Sequence, residues 1–267
     1  MDTAQRQKAE LLNALHVPGT PLVVTNVWDA MSAKVVAEVP GVQAIASASY
    51  SVSAVRGVPD GEGLTVDDAL AAARLITGVT DLPVSIDFEK GYASDAEGVR
   101  RNVRRLIEEA GAVGINLEDS VGPALAPQHD IATAAARVAA ARAAGEDTGV
   151  PIVINARVDT FAGGGPWDEA VERANAYLAA GADIIFFLGL SAQEEHVVRA
   201  LDEVDGRISV SGNPRAVPLA RLAELGVARV SFGPGSLGLA LAALQRAAAQ
   251  LTALGEYPDD LGFAFAL

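Results

Sequence analysis

The chain has no cysteine. That excludes disulfides, thiolate metal sites and a cysteine nucleophile. Aromatic residues make up only 5% of its 267 residues, while alanine and glycine are abundant. This composition suits close helix-on-strand packing better than an aromatic-rich sandwich. Basic residues are the minority: 20 Lys and Arg stand against 34 Asp and Glu, a formal net charge of −14. Most of such a surface repels a phosphate backbone, so no nucleic-acid partner is expected. The chain holds no uncharged apolar run of the roughly 18 residues that a membrane span requires. The stretch "MDTAQRQKAELLNALH" reads as an amphipathic polar helix without a signal-peptide core. No membrane partner is expected, and the expected location is the cytoplasm. The three histidines show no metal-ligand spacing.

What is present is regular. Half of the residues are hydrophobic, enough for a substantial core. Short apolar runs, near-continuous as in a parallel sheet covered on both faces, predict strands near 22–25, 44–47, 84–87, 114–118, 152–156, 184–188, 208–211 and 230–232. Alanine-rich helical patterns fall between and after them, at 30–39, 66–77, 95–110, 131–144, 167–180, 192–204, 218–225 and 237–254. Gly111, Gly181 and Gly226 stand where left-handed helix stops are expected. Strand–helix alternation implies parallel crossovers. The fold class expected is α/β, a single (β/α)8 TIM-type barrel over residues 1–267, with residues 1–20 as a helical extension. An open doubly wound sheet is the alternative; no G-x-G-x-x-G follows the first strand to support it.

In such barrels the chemistry sits at the carboxyl ends of the strands. "SIDFEKGYA" ends a strand with Asp87 and Glu89, two apart and therefore on one face. The next strand ends in "INLEDS", with Glu118 and Asp119, and the one after in "INARVDT", with Arg157 and Asp159. Asp87, Glu89 and Glu118 are the candidate metal ligands. All-oxygen donors suit a hard ion, Mg2+ or Mn2+, completed by water. Arg157 would bind a substrate carboxylate bidentately. Asp119 and Asp159 read as caps or supporting partners. Asp60 in "SVSAVRGVPDGEG", His129 in the loop after 114–118, and Asn213 in "SVSGNP" are further candidates. "FGPGSLG" opens the last helix as a turn or an anion cradle.

The pieces "NVWDAMSAKVVAE", "SVSAVRGVPD", "DFEKGY", "GINLEDS" and "ARVDTF" occur in this order over about residues 26–161. As a set they resemble the isocitrate lyase/phosphoenolpyruvate mutase superfamily. The resemblance implies a Mg2+-dependent barrel acting on small α-keto or 2-hydroxy acids through an enolate. It implies Asp87 as the direct metal ligand, Glu89 and Glu118 as holders of metal-bound water, and Asp60 near the reacting end as a candidate base. Arg157 would hold one substrate carboxylate. The backbone N–H groups of Ala48, Ser49 and Tyr50 would face the other carboxylate and the carbonyl oxygen. Water, Tyr50 or His129 is the expected proton donor to the enolate. The resemblance also implies a homo-oligomer, a dimer or tetramer, with the C-terminal helix at about 234–267 exchanged between subunits.

The chain departs from the family's pattern in three places. The loop after 114–118, "SVGPALAPQHD", lacks the lyases' cysteine and the mutases' lysine and asparagine; Leu188 replaces a common histidine; and Glu89 replaces the second aspartate of D-x-D. Oxaloacetate-type decarboxylation or C–C lysis releasing pyruvate is the expected reaction. Phosphonate or carboxyphosphonate mutase or hydrolase chemistry and non-catalytic keto-acid binding are the alternatives.

Overall fold

The computed structural model describes residues 3–258. Nine strands form one parallel sheet: β1 (Leu22–Val24), β2 (Asn26–Val27), β3 (Ile45–Ser47), β4 (Val84–Asp87), β5 (Gly114–Glu118), β6 (Val153–Val158), β7 (Ile184–Phe187), β8 (Ile208–Ser211) and β9 (Arg229–Ser231). The helices are α1 (Thr3–Ala14), α2 (Ala30–Ala37), α3 (Ser49–Ala54), α4 (Val66–Thr77), α5 (Ala96–Ala110), α6 (Ile131–Thr148), α7 (Trp167–Ala179), α8 (Glu194–Glu203), α9 (Leu219–Leu225) and α10 (Gly235–Leu254).

The sheet order runs β1-β9-β8-β7-β6-β5-β4-β3-β2. Since β1 and β2 are two halves of one strand broken at Thr25, the ring closes through them. The expected eight-stranded barrel is therefore present, with its first strand split. Asn26 explains how the split is tolerated. Its amide Nδ2 donates to Ser47 O at 2.8 Å, and its Oδ1 accepts from Phe232 N at 2.7 Å. One buried side chain thus stitches both neighbouring strands where the backbone ladder is interrupted.

Local sequence sets the helix ends. Asp29 and Thr65 each close a capping box, and Asp95 and Asp130 cap α5 and α6. Gly111 and Gly226 end α5 and α9 in the left-handed conformation, as expected; Gly181 follows one residue after the cap of α7 and is also left-handed. The helix α3, six residues long, stands where the sequence shows no periodic pattern.

The core is built from the aliphatic residues of strands and inner helix faces, among them Ile86, Val103, Ile115, Ile154 and Ile185. The amino-terminal floor of the barrel is plugged by α1. Leu12 occupies the place a side chain at Gly114 would need, since a Cβ there would lie 2.6 Å from Leu12 Cδ2. Gln5 donates to Ile107 O and Ala112 O at 2.9 and 3.1 Å.

At the other terminus α10 buries only Leu237 of its own residues, while Leu239, Leu241, Leu244 and Leu254 are exposed. By length and composition α10 is apolar enough to cross a membrane, with mean hydropathy 1.3. Its Arg246 and two glutamines are why no uncharged run marked it in the sequence. Of the C-terminal segment expected at 234–267, residues 259–267 lie outside the described residues.

Candidate active site

The strand ends β3, β4, β5 and β6 bring the predicted acids and Arg157 to one end of the barrel. Asp87 ends β4, partly buried. Its Oδ2 accepts from Ser49 N at 2.9 Å, its Oδ1 faces Asn116 Nδ2 at 3.4 Å, and its own N–H donates to Ser47 Oγ at 2.8 Å. Asn155 Nδ2 in turn donates to Asn116 Oδ1 at 2.8 Å. The asparagines stand side by side because β5 and β6 pair Asn116 with Asn155.

Directly after β4 the chain makes a tight turn, with Gly91 N donating to Phe88 O at 2.8 Å. Among the described residues three non-glycine residues have positive φ: Glu62 (66°), Glu89 (47°) and Tyr92 (53°). All three belong to one hydrogen-bonded cluster. Glu62 N donates to Glu89 Oε2, Tyr92 Oη donates to Glu89 Oε1 at 2.7 Å, and Tyr92 N donates to Glu62 Oε1 at 2.7 Å. Left-handed backbone costs an ordinary residue about 1–2 kcal/mol, and such strain gathers where geometry is dictated by function. The loop carrying Asp60 and Glu62 is equally constrained, since a Cβ at Gly63 would lie 2.1 Å from Pro59 O.

Electrostatics divide the site in two. On one side stand Asp60, Asp87 and Glu89. Burial and then the charge of Asp87 raise the Asp60 carboxyl above its ordinary value, against a hydrogen bond from Ser49. Burial pushes Glu89 up to about 7; the Tyr92 hydrogen bond pulls it down, and the charges of Asp87 and Asp60 push it further up. On the other side stands Glu118, raised by burial to about 7 although Arg157 and Lys90 pull it down. Arg157 Nη1 lies 2.6 Å from Glu118 Oε2, and its Nε and Nη2 clasp the two oxygens of Asp159 at 2.6 and 3.0 Å. Lys90, 5% exposed, turns its Nζ to within 3.7 Å of Glu118 Oε1.

Other expected residues are placed less centrally. Ala48 N donates to Val27 O at 3.3 Å, so two of the three amides expected to face substrate, those of Ala48 and Ser49, already have acceptors. The Tyr50 side chain is 54% exposed. His129 is held by its N–H to Asp119 O at 2.9 Å in a loop folded on itself, where Val121 N donates to Pro127 O. Its charged neighbours are Arg137, Asp130 and Arg173, and none of the site acids. Asn213 is exposed and its Oδ1 accepts from Arg215 N at 2.9 Å, a local turn. Asp119 acts behind the site: it takes the Tyr177 hydroxyl at 2.7 Å and Asp159 N at 3.0 Å, and burial raises it to about 6. Tyr92, Lys90 and the Asn116–Asn155 pair had no assigned role in the sequence reading. The repeated "IN" at two successive strand ends was the visible signal for the last of these.

The donor set fits a divalent cation. The charge of Asp87 raises the proton affinity of Asp60, and Asp87 and Asp60 raise that of Glu89; a cation relieves that repulsion. Among the described residues no three acidic or histidine side chains form an all-protein cage. A small cavity of about 20 Å3 beside Asp87, Ser49 and Tyr92 has apolar walls from Val52, Leu64 and Ile76.

Comparison with known proteins shows the family. An uncharacterized protein of Mycobacterium tuberculosis is 35% identical over 242 residues, covering 86% of this chain and 84% of that one. An oxaloacetate decarboxylase of Pseudomonas fluorescens is 33% identical over 245 residues, covering 87% and 82%. A crystal structure from Burkholderia cenocepacia, provisionally described as a phosphonomutase, superposes with a TM-score of 0.85 at 37% identity, covering 92% and 99%. Residues 12–252 match the phosphoenolpyruvate phosphomutase family, and the chain belongs to it, within the isocitrate lyase/phosphoenolpyruvate mutase superfamily of lyases and mutases.

Proposed function

We propose that this chain is a Mg2+- or Mn2+-dependent carbon–carbon lyase for a small α-keto or 2-hydroxy di- or tricarboxylic acid. Decarboxylation of an oxaloacetate-type substrate to pyruvate is the reading the site supports best. The observation that carries it is the pairing of a carboxylate cluster (Asp60, Asp87, Glu89) with the Arg157 guanidinium at one barrel mouth. Asp87 would hold the ion directly, with Glu89 and Glu118 reaching it through water. The bound ion would supply Lewis-acid stabilisation of developing oxyanion charge.

The rest falls to the chain. Arg157, already oriented by Asp159, binds the substrate carboxylate. Lys90 and Arg157 offset part of the proton affinity that burial gives Glu118. Breaking the bond to the departing carboxylate releases CO2 and leaves its electron pair in the enolate, and no base is required. Water or the exposed Tyr50 hydroxyl then protonates the third carbon. The loop after β5 carries no cysteine or lysine for a more demanding cleavage. With a 2-hydroxy acid, Asp60 would take the hydroxyl proton, and its raised proton affinity supports that role. The exposed leucines of α10 support a homo-oligomer that exchanges this helix.

Mutase or hydrolase chemistry on phosphonates is the second reading, supported by the Burkholderia relative but not by the loop, which offers no lysine or arginine between Glu118 and Arg137. The test is pyruvate release from oxaloacetate, methylisocitrate and dimethylmalate with and without Mg2+, with Asp87→Ala as control. Metal-dependent turnover lost in Asp87→Ala is the expected result. Tight keto-acid binding with no turnover on any substrate would make the chain a binding protein.

A further inference from the structure

The barrel floor, at the end opposite the acids, gathers hydrogen-bond donors without acceptors. Arg229 on β9 is 1% exposed. Its side chain crosses the barrel interior toward β4, where Nη1 lies 3.5 Å from Ser85 Oγ, and its Nε has no partner. Ser209, beside Arg229 in the β8–β9 register, is fully buried and its hydroxyl has no partner. His16, just beyond α1, is 2% exposed. Burial, then the charges of Arg229 and Arg207, push His16 down to about 3 against a hydrogen bond to the Leu12 backbone, so the ring is neutral and its one N–H is directed to the Leu12 carbonyl. Arg207 gives its hydrogen bonds to neutral oxygens only: the carbonyls of Asn13, His16 and Asp183 and the Asn13 side chain. Among the described residues neither arginine has a carboxylate within ion-pair distance. The one charge acting on Arg229 is Asp87, at the far end of its own strand.

A buried cation without a counter-charge is strongly unfavourable. Water would satisfy the donors but not the charge. We propose that the barrel floor binds a small monovalent inorganic anion of the halide class between Arg229 and Ser209, beneath His16. The anion neutralises the guanidinium and accepts from Nε and the Ser209 hydroxyl. The α1 plug seals it in, with Leu12 seated against Gly114 and Asn13 tied to Arg207. Exchange therefore requires α1 to lift. The site is structural.

Crystals grown from protein refolded in bromide decide the matter, with an anomalous difference map at the bromine edge. The expected result is a peak within hydrogen-bonding reach of Arg229 Nε. In solution, at equal ionic strength, wild-type Tm is expected to be higher in chloride or bromide than in gluconate, and Ser209→Ala and Arg229→Met are expected to reduce or lose that difference. A floor without an anomalous peak overturns the proposal, as does a halide effect equal in wild type and Ser209→Ala. A peak without any halide effect on Tm means binding at crystal concentration only and overturns it too. If Arg229→Met does not fold, the wild-type map and Ser209→Ala still decide.

Discussion

Replacing Arg157 with methionine tests the electrostatic frame of the mouth. Arg157 is 15% exposed in its side chain and serves two carboxylates that are nearly or fully buried, Glu118 at 8% and Asp159 at 0%. Methionine keeps the stem and removes the charge, so both acids lose a shared partner. Breaking a buried pair on one side costs about 3–5 kcal/mol. Lys90, still 3.7 Å from Glu118, softens the loss, which places the expected value near the lower end, about 3 kcal/mol. At roughly 2–4 °C per kcal/mol for a domain of this size, Tm should fall by about 6–12 °C.

The loss should also depend on pH. Glu118 sits at about 7 in the fold against an ordinary 4.5, and Arg157 is the strongest influence holding it down. Without Arg157 its folded value rises further. A carboxyl raised on folding binds its proton more tightly in the native state. The stability it contributes is complete below the ordinary value and is lost as pH rises through the folded value. The deficit of the variant should be smallest near pH 5 and largest above pH 8. Thermal melts of wild type and Arg157→Met in chelator, at pH 5 and 8.5, measure it. A deficit under about 1 kcal/mol at pH 8.5, well below the lower bound for breaking a buried pair, would refute the reasoning. So would one that grows toward pH 5.

Two further perturbations probe the cluster around Glu89. Tyr92→Phe removes the hydroxyl that donates to Glu89 Oε1; hydrogen bonds to charged groups contribute about 1.5–3 kcal/mol, so the variant should fold with a lowered Tm, and an unchanged Tm at pH 8.5 would show that Glu89 does not rely on it. Gly63→Ala drives a methyl into Pro59 O and should shift the loop carrying Asp60, raising KM for a keto acid or lowering kcat while the barrel's circular dichroism stays native. Wild-type kinetics would break that link between loop geometry and the site.

Much of the fold was legible locally. The strand over 114–118 and the helix over 66–77 match the observed bounds, because each is a compact apolar pattern with a boundary signal just before it, the left-handed Gly111 that ends α5 or the Thr65 cap that starts α4. The acids were legible for a related reason. A charge ending an apolar run has few explanations, and the barrel rule places strand ends together. The short helix Ser49–Ala54 left no such pattern, since its six residues are too few to show a period.

The sequence by itself determined the alternation of strands and helices, the family, and the strand ends that carry acids and Arg157. Tertiary structure alone decided how those groups share their charges. It split the first strand at Thr25 and closed the seam with Asn26. It committed Arg157 to Asp159 and Glu118, turned Lys90 toward Glu118, and left His129 away from the acids. Periodicity is written in neighbouring residues, whereas the pairing of buried charges depends on register and desolvation between segments distant in the chain.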